Sequence, residues 1–263
     1  MKLRILSVLF IFILLLPNVT NAESTDNWAK LDELSGQALL MVKQERYEEA
    51  KQLLQQFSND FLLNFRNGTF SMDELRVITV THNSALEAVT STSNNYEERL
   101  TKVTQFRLVV DAISSEHQPL WTEMEDSIMT TFSVMKQHVL EDGDNQSYQH
   151  QLNIFLKKFD IIHPSIQVDL PSSQIQKMDS HIHFLDSYRN EGLKKSTRIQ
   201  QMEQMELDLK ELFDKMTEDE ADPSLIWVMI STGSIIILTL SYVGWRKYKG
   251  DKQKKLPKRD TEE

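Results

Sequence analysis

Apolar residues recur three and four positions apart along most of the chain between Trp28 and Met216. That spacing stacks side chains on one face of an α-helix and does not match the two-residue period of a strand. Leu31, Leu34, Ala38 and Met41 share a face of a first helix, a break follows at Gln44 to Arg46, and Tyr47, Ala50, Leu54 and Phe57 share a face of a second. Residues 28–65 therefore read as a helical hairpin. Gly68 stops it, and Ser71 three positions before Glu74 predicts a capping box opening a third helix that carries Leu75, Ile78, Ala85 and Val89. Asn94-Asn95 marks a turn, after which Leu100, Val103, Phe106, Val110 and Ile113 give a fourth helix one apolar stripe. Pro119 suits the first position of a fifth helix, where its missing N–H has no partner in any case. Trp121, Met124, Ile128, Phe132, Met135 and Val139 follow on one face, and Leu152, Phe155, Leu156 and Phe159 line a sixth helix beyond the polar stop at Glu141 to Asn145.

From His163 to Ser173 the rhythm changes. Two prolines fall there, and Ile166, Val168 and Leu170 alternate with Gln167 and Asp169. The pattern predicts an extended connector packed across the helices, since a lone strand has nothing to pair with. Helical spacing resumes with Ile175, Met178, Ile182 and Leu185, then with Ile199, Met202, Met205, Leu209, Leu212, Phe213 and Met216. The last helix is either a stalk or the closing member of the bundle. Glu45-Arg46-Tyr47-Glu48-Glu49-Ala50 with Leu53, Leu54 and Phe57 resembles the second half of a tetratricopeptide unit. No copy follows at that repeat's spacing, so the expected fold class is all-α, a helical bundle or tetratricopeptide-like hairpin assembly.

Two long apolar runs lie outside this pattern. Lys2 and Arg4 precede an uncharged run from Ile5 to Leu16, then Pro17 and the small-residue site Thr20-Asn21-Ala22, the layout of a secretory signal peptide over 1–22. Ser224 to Trp245 holds no charge and is long enough, at about 1.5 Å per residue, for a transmembrane helix. Glu218, Asp219, Glu220 and Asp222 precede it; Arg246, Lys247, Lys249, Lys252, Lys254, Lys255, Lys258 and Arg259 follow. Basic residues are retained on the cytoplasmic side, so the expected arrangement is a single pass through the cell membrane with the ectodomain outside and the C-terminus cytoplasmic. The expected layout is signal peptide 1–22, helical core 23–162, connector 163–173, C-terminal helices 174–223, membrane helix 224–245 and basic tail 246–263.

Charge sharpens this picture. The ectodomain holds 19 Lys and Arg against 35 Asp and Glu, so the overall net charge of −10 combines an acidic exterior with a basic tail. Phosphate recognition needs clustered cations, which argues against nucleic acid. The tail is placed to touch anionic lipid as well as to stop transfer. The chain has no cysteine, which excludes thiol catalysis and zinc–thiolate sites.

No catalytic, cofactor-binding or metal residue is assigned, and no cofactor is expected. His181-Ile182-His183 is the nearest thing to a metal motif, but a two-residue step turns helical side chains about 200° apart. His138 with Glu141 or Asp142 has usable spacing on an acidic helix end that produces such pairs by chance. Both sets read as ordinary surface histidines. Met202, Met205 and Met216 read as core filling before partner surface.

Arg107-Leu108-Val109-Val110-Asp111-Ala112 and Pro119-Leu120-Trp121 with Glu123, set in this full-length plan of leader, acidic helical segment, anchor and Lys-rich tail, resemble the YpjB family of sporulation proteins of endospore-forming Gram-positive bacteria. The resemblance implies an envelope protein linked to sporulation and brings no enzymatic activity or binding residues. Asp111 and Glu123 read as helix-surface charges and Trp121 as core. The expectation is a non-catalytic interaction or assembly factor with an unidentified protein partner. An extracytoplasmic ligand sensor signalling through a partner is the second reading, and a cell-wall enzyme the third.

Overall fold

The computed structural model describes residues 22–65, 70–115, 118–141, 145–189, 194–218 and 223–254. Among them the chain forms nine α-helices and one 3₁₀ turn, with no strand: α1 Ala22–Lys43, α2 Tyr47–Phe65, α3 Met72–Thr90, α4 Tyr96–Ser114, the turn Leu120–Met124, α5 Glu125–Leu140, α6 Asn145–Asp169, α7 Ser172–Ser187, α8 Lys195–Glu218 and α9 Pro223–Lys254. The fold class is all-α. The expected leader lies outside the described residues, save Ala22 at the start of α1.

The helix boundaries follow local chemistry. Between α1 and α2, Arg46 N–H donates to the Met41 carbonyl and Glu45 N–H to that of Val42, each at 2.9 Å. Glu45 has a φ of 60°. This is a Schellman stop with a glutamate in the left-handed position that glycine normally fills. At α3 both halves of the capping box form: Glu74 N–H donates to Ser71 Oγ at 3.1 Å, and Ser71 N–H to the Glu74 carboxylate at 2.6 Å. Asn95 Oδ1 accepts from Glu98 N–H at 2.9 Å and caps α4. Arg99, stacked over Tyr47 of α2, donates to the Ala88 and Ser91 carbonyls at the end of α3.

One compact unit ends at Met216 and a second begins at Thr217. The first unit holds two apolar clusters. Leu31, Ala38, Leu54, Phe57, Ile78, Ala85, Phe106 and Val110 belong to one, drawn from α1 to α4. Trp121, Phe132, Met135, Phe155, Met202, Met205 and Phe213 belong to the other, drawn from the turn and α5 to α8. The helix α4 serves both: Val103, Phe106, Val109 and Val110 face the first cluster, Leu108 and Ala112 the second. In place of the single stripe predicted, α4 is buried on several faces, Gln105 and Asp111 included.

The predicted connector over 163–173 is corrected by the structure. The helix α6 runs through Pro164 to Asp169, and the break falls at Leu170-Pro171, with Pro171 as the N-cap of α7. A proline inside a helix leaves the carbonyl four residues back without its donor. That carbonyl belongs to Asp160, and the Gln105 side chain of α4 donates to it at 2.8 Å and to the Asp160 carboxylate at 2.9 Å. Ile162 and Ile166 bury on the same side of α6, and Val168 packs against both clusters. Pro119, predicted as the first residue of the fifth helix, caps the 3₁₀ turn ahead of it. The helix α8 closes the bundle as far as Met216, with Met202, Met205, Leu209, Leu212 and Phe213 buried, and is no stalk over that length.

The second unit contains α9. Its stretch Val228–Lys249 is long and apolar enough to cross a membrane, and none of it is buried. The helix continues past Trp245 into the basic segment as far as Lys254.

Candidate functional site

Several of the polar groups that the fold takes out of water gather where the two clusters meet. Arg107 and Asp111 stand four residues apart on one face of α4. The Arg107 guanidinium forks onto the Asp32 carboxylate of α1, with Nη2 to Asp32 Oδ2 at 3.2 Å, and Nη1 also donates to Ser35 Oγ at 3.2 Å. Asp111 Oδ1 lies 3.6 Å from Arg107 Nη2. Asp111 Oδ2 accepts the Leu120 backbone N–H at 2.6 Å. One residue on, the Trp121 indole N–H donates to Asp169 Oδ2 at 2.6 Å, from the last residue of α6. The Trp121 ring lies 5.5 Å, centroid to centroid, from Phe213 of α8. Two carboxylates from two helices thus hold consecutive residues of the 3₁₀ turn, and the indole between them reaches the closing helix.

The electrostatics follow from geometry. Burial pushes the Asp111 carboxyl up from its ordinary value, opposed by the Leu120 N–H and by Arg107. Asp169 is raised to about 7, first by burial and then by the negative charges of Asp111 and Glu74, against the hydrogen bond from Trp121. Its place at the end of α6 works in the same direction, because a helix C-terminus disfavours an anion. Arg107 is already engaged by Asp32 and Asp111.

A second polar cluster lies between α7 and α8. The buried Asp208 accepts from Lys177 at 2.6 Å, from His181 Nε2 at 2.7 Å and from Gln204 at 3.1 Å. Burial pushes this carboxyl up, but the three hydrogen bonds outweigh it and hold Asp208 below the usual range. A small hollow of about 180 Å³ lies beside it, lined by Ser173, Gln174, Met178 and Glu211 among others.

His181 turns inward to Asp208 and is no surface histidine, its side chain being 12% exposed, while His183 Nε2 lies 3.4 Å from Ser187 Oγ on its own helix. His138 borders an open hollow with His150, and Glu141 accepts from Gln137 instead; Asp142 lies outside the described residues. Among the described residues no group of three His, Asp or Glu is gathered as metal ligands. Met202 and Met205 are core, and Met216 packs against it. Asp111, read from sequence as a surface charge, is buried, whereas Trp121 fills the core as expected. Asp32, Asp169 and Asp208 were not singled out by sequence reasoning. Their signal is only that each falls at helical spacing beside core positions.

This is an all-α protein whose two apolar cores are joined through a buried Arg–carboxylate–Trp network, with one further helix apolar enough to cross a membrane. The family model described as "Sporulation protein YpjB (SpoYpjB)" matches residues 28–256. The "Uncharacterized protein YpjB" of Bacillus subtilis (strain 168) is 33% identical over 263 residues, covering 99% of each chain. No solved structure matches. The chain belongs to the YpjB family of sporulation proteins.

Proposed function

We propose that the chain is moored in the cell membrane by one crossing of α9, with the acidic helical unit outside and the basic tail inside, and that this unit acts during sporulation as a non-catalytic interaction or assembly factor. The observation that carries the reading is the charge contrast about one apolar run. Four acidic residues stand just before it and eight Lys and Arg follow, the asymmetry that retains a tail in the cytoplasm. The described span Val228–Lys249 is 22 residues, about 33 Å as a helix against a hydrocarbon core of about 30 Å. Mooring concentrates a binding surface beside the membrane without requiring tight intrinsic affinity.

A groove between α1 and α2, of about 450 Å³, supports a protein as the partner. Leu40, Met41 and Leu53 supply apolar surface, and Gln37, Gln52 and Gln56 supply amides that both donate and accept, the complement of a peptide backbone. The basic tail adds attraction to an anionic inner leaflet.

Because the chain has no cysteine, single substitutions test the topology cleanly. Gln56→Cys is expected to react with a membrane-impermeant maleimide on intact cells, and Lys252→Cys only after permeabilisation; the reverse pattern overturns the orientation. A photo-reactive residue at Gln52 is expected to trap a discrete protein adduct in sporulating cells. Its absence while the protein is folded and abundant overturns the groove as the contact.

A further inference from the structure

Among the described residues, the joint between the two cores carries more negative charge than cations to balance it. Asp32 and Asp111 share Arg107. Asp169 faces Trp121 from the turn, and the charges bearing on it are Asp111 from α4 and Glu74 from α3, both negative. On the other neighbouring helices, Lys177 of α7 is paired with Asp208 of α8, and Glu125 of α5 is a further carboxylate, repelled by Asp126 and Asp214.

We propose that Asp111, Trp121 and Asp169 form a proton-operated latch between the two cores, closed while Asp169 carries a proton and loosened when it ionises. With the proton on, Asp169 accepts the indole N–H and adds no charge to the buried group. With the proton lost, burying an anion beside Asp111 and Glu74 at the end of α6 costs more than the strengthened indole hydrogen bond returns, and the closed arrangement, with Trp121 seated against Phe213 of α8, is disfavoured against one that lets water reach Asp169. The carboxyl is poised to change state near neutrality, at about 7. Between pH 6 and pH 8 its protonated fraction therefore falls about tenfold, from roughly nine-tenths to roughly one-tenth. The latch is independent of the proposed partner and topology.

The test uses the full chain, ¹⁵N-labelled, in detergent micelles, with the Trp121 indole resonance identified by its loss in Trp121→Phe. In the native chain that resonance is expected to move between two plateaus with a midpoint near neutrality. Protection of the Leu120 amide, corrected for intrinsic exchange, is expected to fall several-fold on the alkaline side. In Asp169→Asn, which keeps an oxygen for the indole, both profiles become flat. Glu74→Gln removes one repelling charge while glutamine still serves the capping box, so the midpoint moves to lower pH. This second variant decides the matter if Asp169→Asn does not fold. A Trp121 resonance flat across the range in the native chain, a titration that persists in Asp169→Asn, or a midpoint unmoved by Glu74→Gln overturns the latch.

Discussion

The helix α6 passes through Pro164 only because another helix supplies what the proline lacks, and a double-mutant cycle measures that directly. Gln105→Leu removes the amide that donates to the Asp160 carbonyl at 2.8 Å. A net hydrogen bond contributes about 1 kcal/mol, and a stranded dry carbonyl costs up to about 3 kcal/mol. Asp160 lies at the surface, so water takes part of the donor's place and the cost falls at about 1–2 kcal/mol. Pro164→Ala restores a backbone N–H to the same carbonyl. Relieving an interior proline gains about 3 kcal/mol, less up to about 1 kcal/mol for the extra freedom of the unfolded chain. With that N–H in place, Gln105→Leu no longer strands the carbonyl. Its losses at the Asp160 carboxylate and at Lys102 occur in both backgrounds and cancel. The two substitutions should therefore couple by about 1 kcal/mol. Urea denaturation of the four full-length proteins in detergent, followed by far-UV circular dichroism, reads the cycle. Additivity within about 0.3 kcal/mol would refute the account of the proline.

Glu45→Gly relieves the left-handed backbone at the end of α1 and should raise stability by about 1 kcal/mol, read as a higher urea midpoint at unchanged slope. Arg107→Met leaves the Asp32 and Asp111 carboxylates facing each other without their shared cation. It should cost about 3 kcal/mol at neutral pH and less in acid, where protonation removes the repulsion. Asp169 gives a pH dependence of definite sign. Its folded value, about 7, stands above its ordinary 3.8, so the folded chain binds the extra proton between them, and stability falls as pH rises through that window, by up to about 4 kcal/mol. Denaturation midpoints in Asp169→Asn should lack that decline.

The parts of this fold that were legible in the sequence are those settled by neighbours along the chain. Ser71 and Glu74 announce the start of α3 because a capping box is complete within four residues. The hairpin of α1 and α2 shows because its apolar faces and the stop at Gln44 to Arg46 are local. Pro164 misled because its remedy, Gln105, contacts the chain at a separation of 55 residues. The alternation of Ile166, Val168 and Leu170 meant a helix buried against two cores, where Val168 finds apolar contact on the side a one-core helix leaves wet. Burial hid the site as well. Asp111, Asp169 and Asp208 read as three members of an acidic surface, since nothing local separates a solvated carboxylate from one enclosed by other helices. The resemblance rests on Arg107 through Ala112 and on Pro119 through Trp121 with Glu123. The structure supplies their physical connection, a carboxylate of α4 holding the backbone of the turn that seats the indole.

On the proposed function, the helical unit works by binding another protein beside the membrane. Affinity purification after crosslinking in sporulating cells decides this, comparing the tagged full chain with a control that keeps residues 1–27, α9 and the tail but lacks residues 28–216. A stoichiometric partner recovered with the full chain and lost in the control is the predicted result. Equal recovery of the same proteins by both, or recovery of none with the full chain folded and abundant, would contradict it.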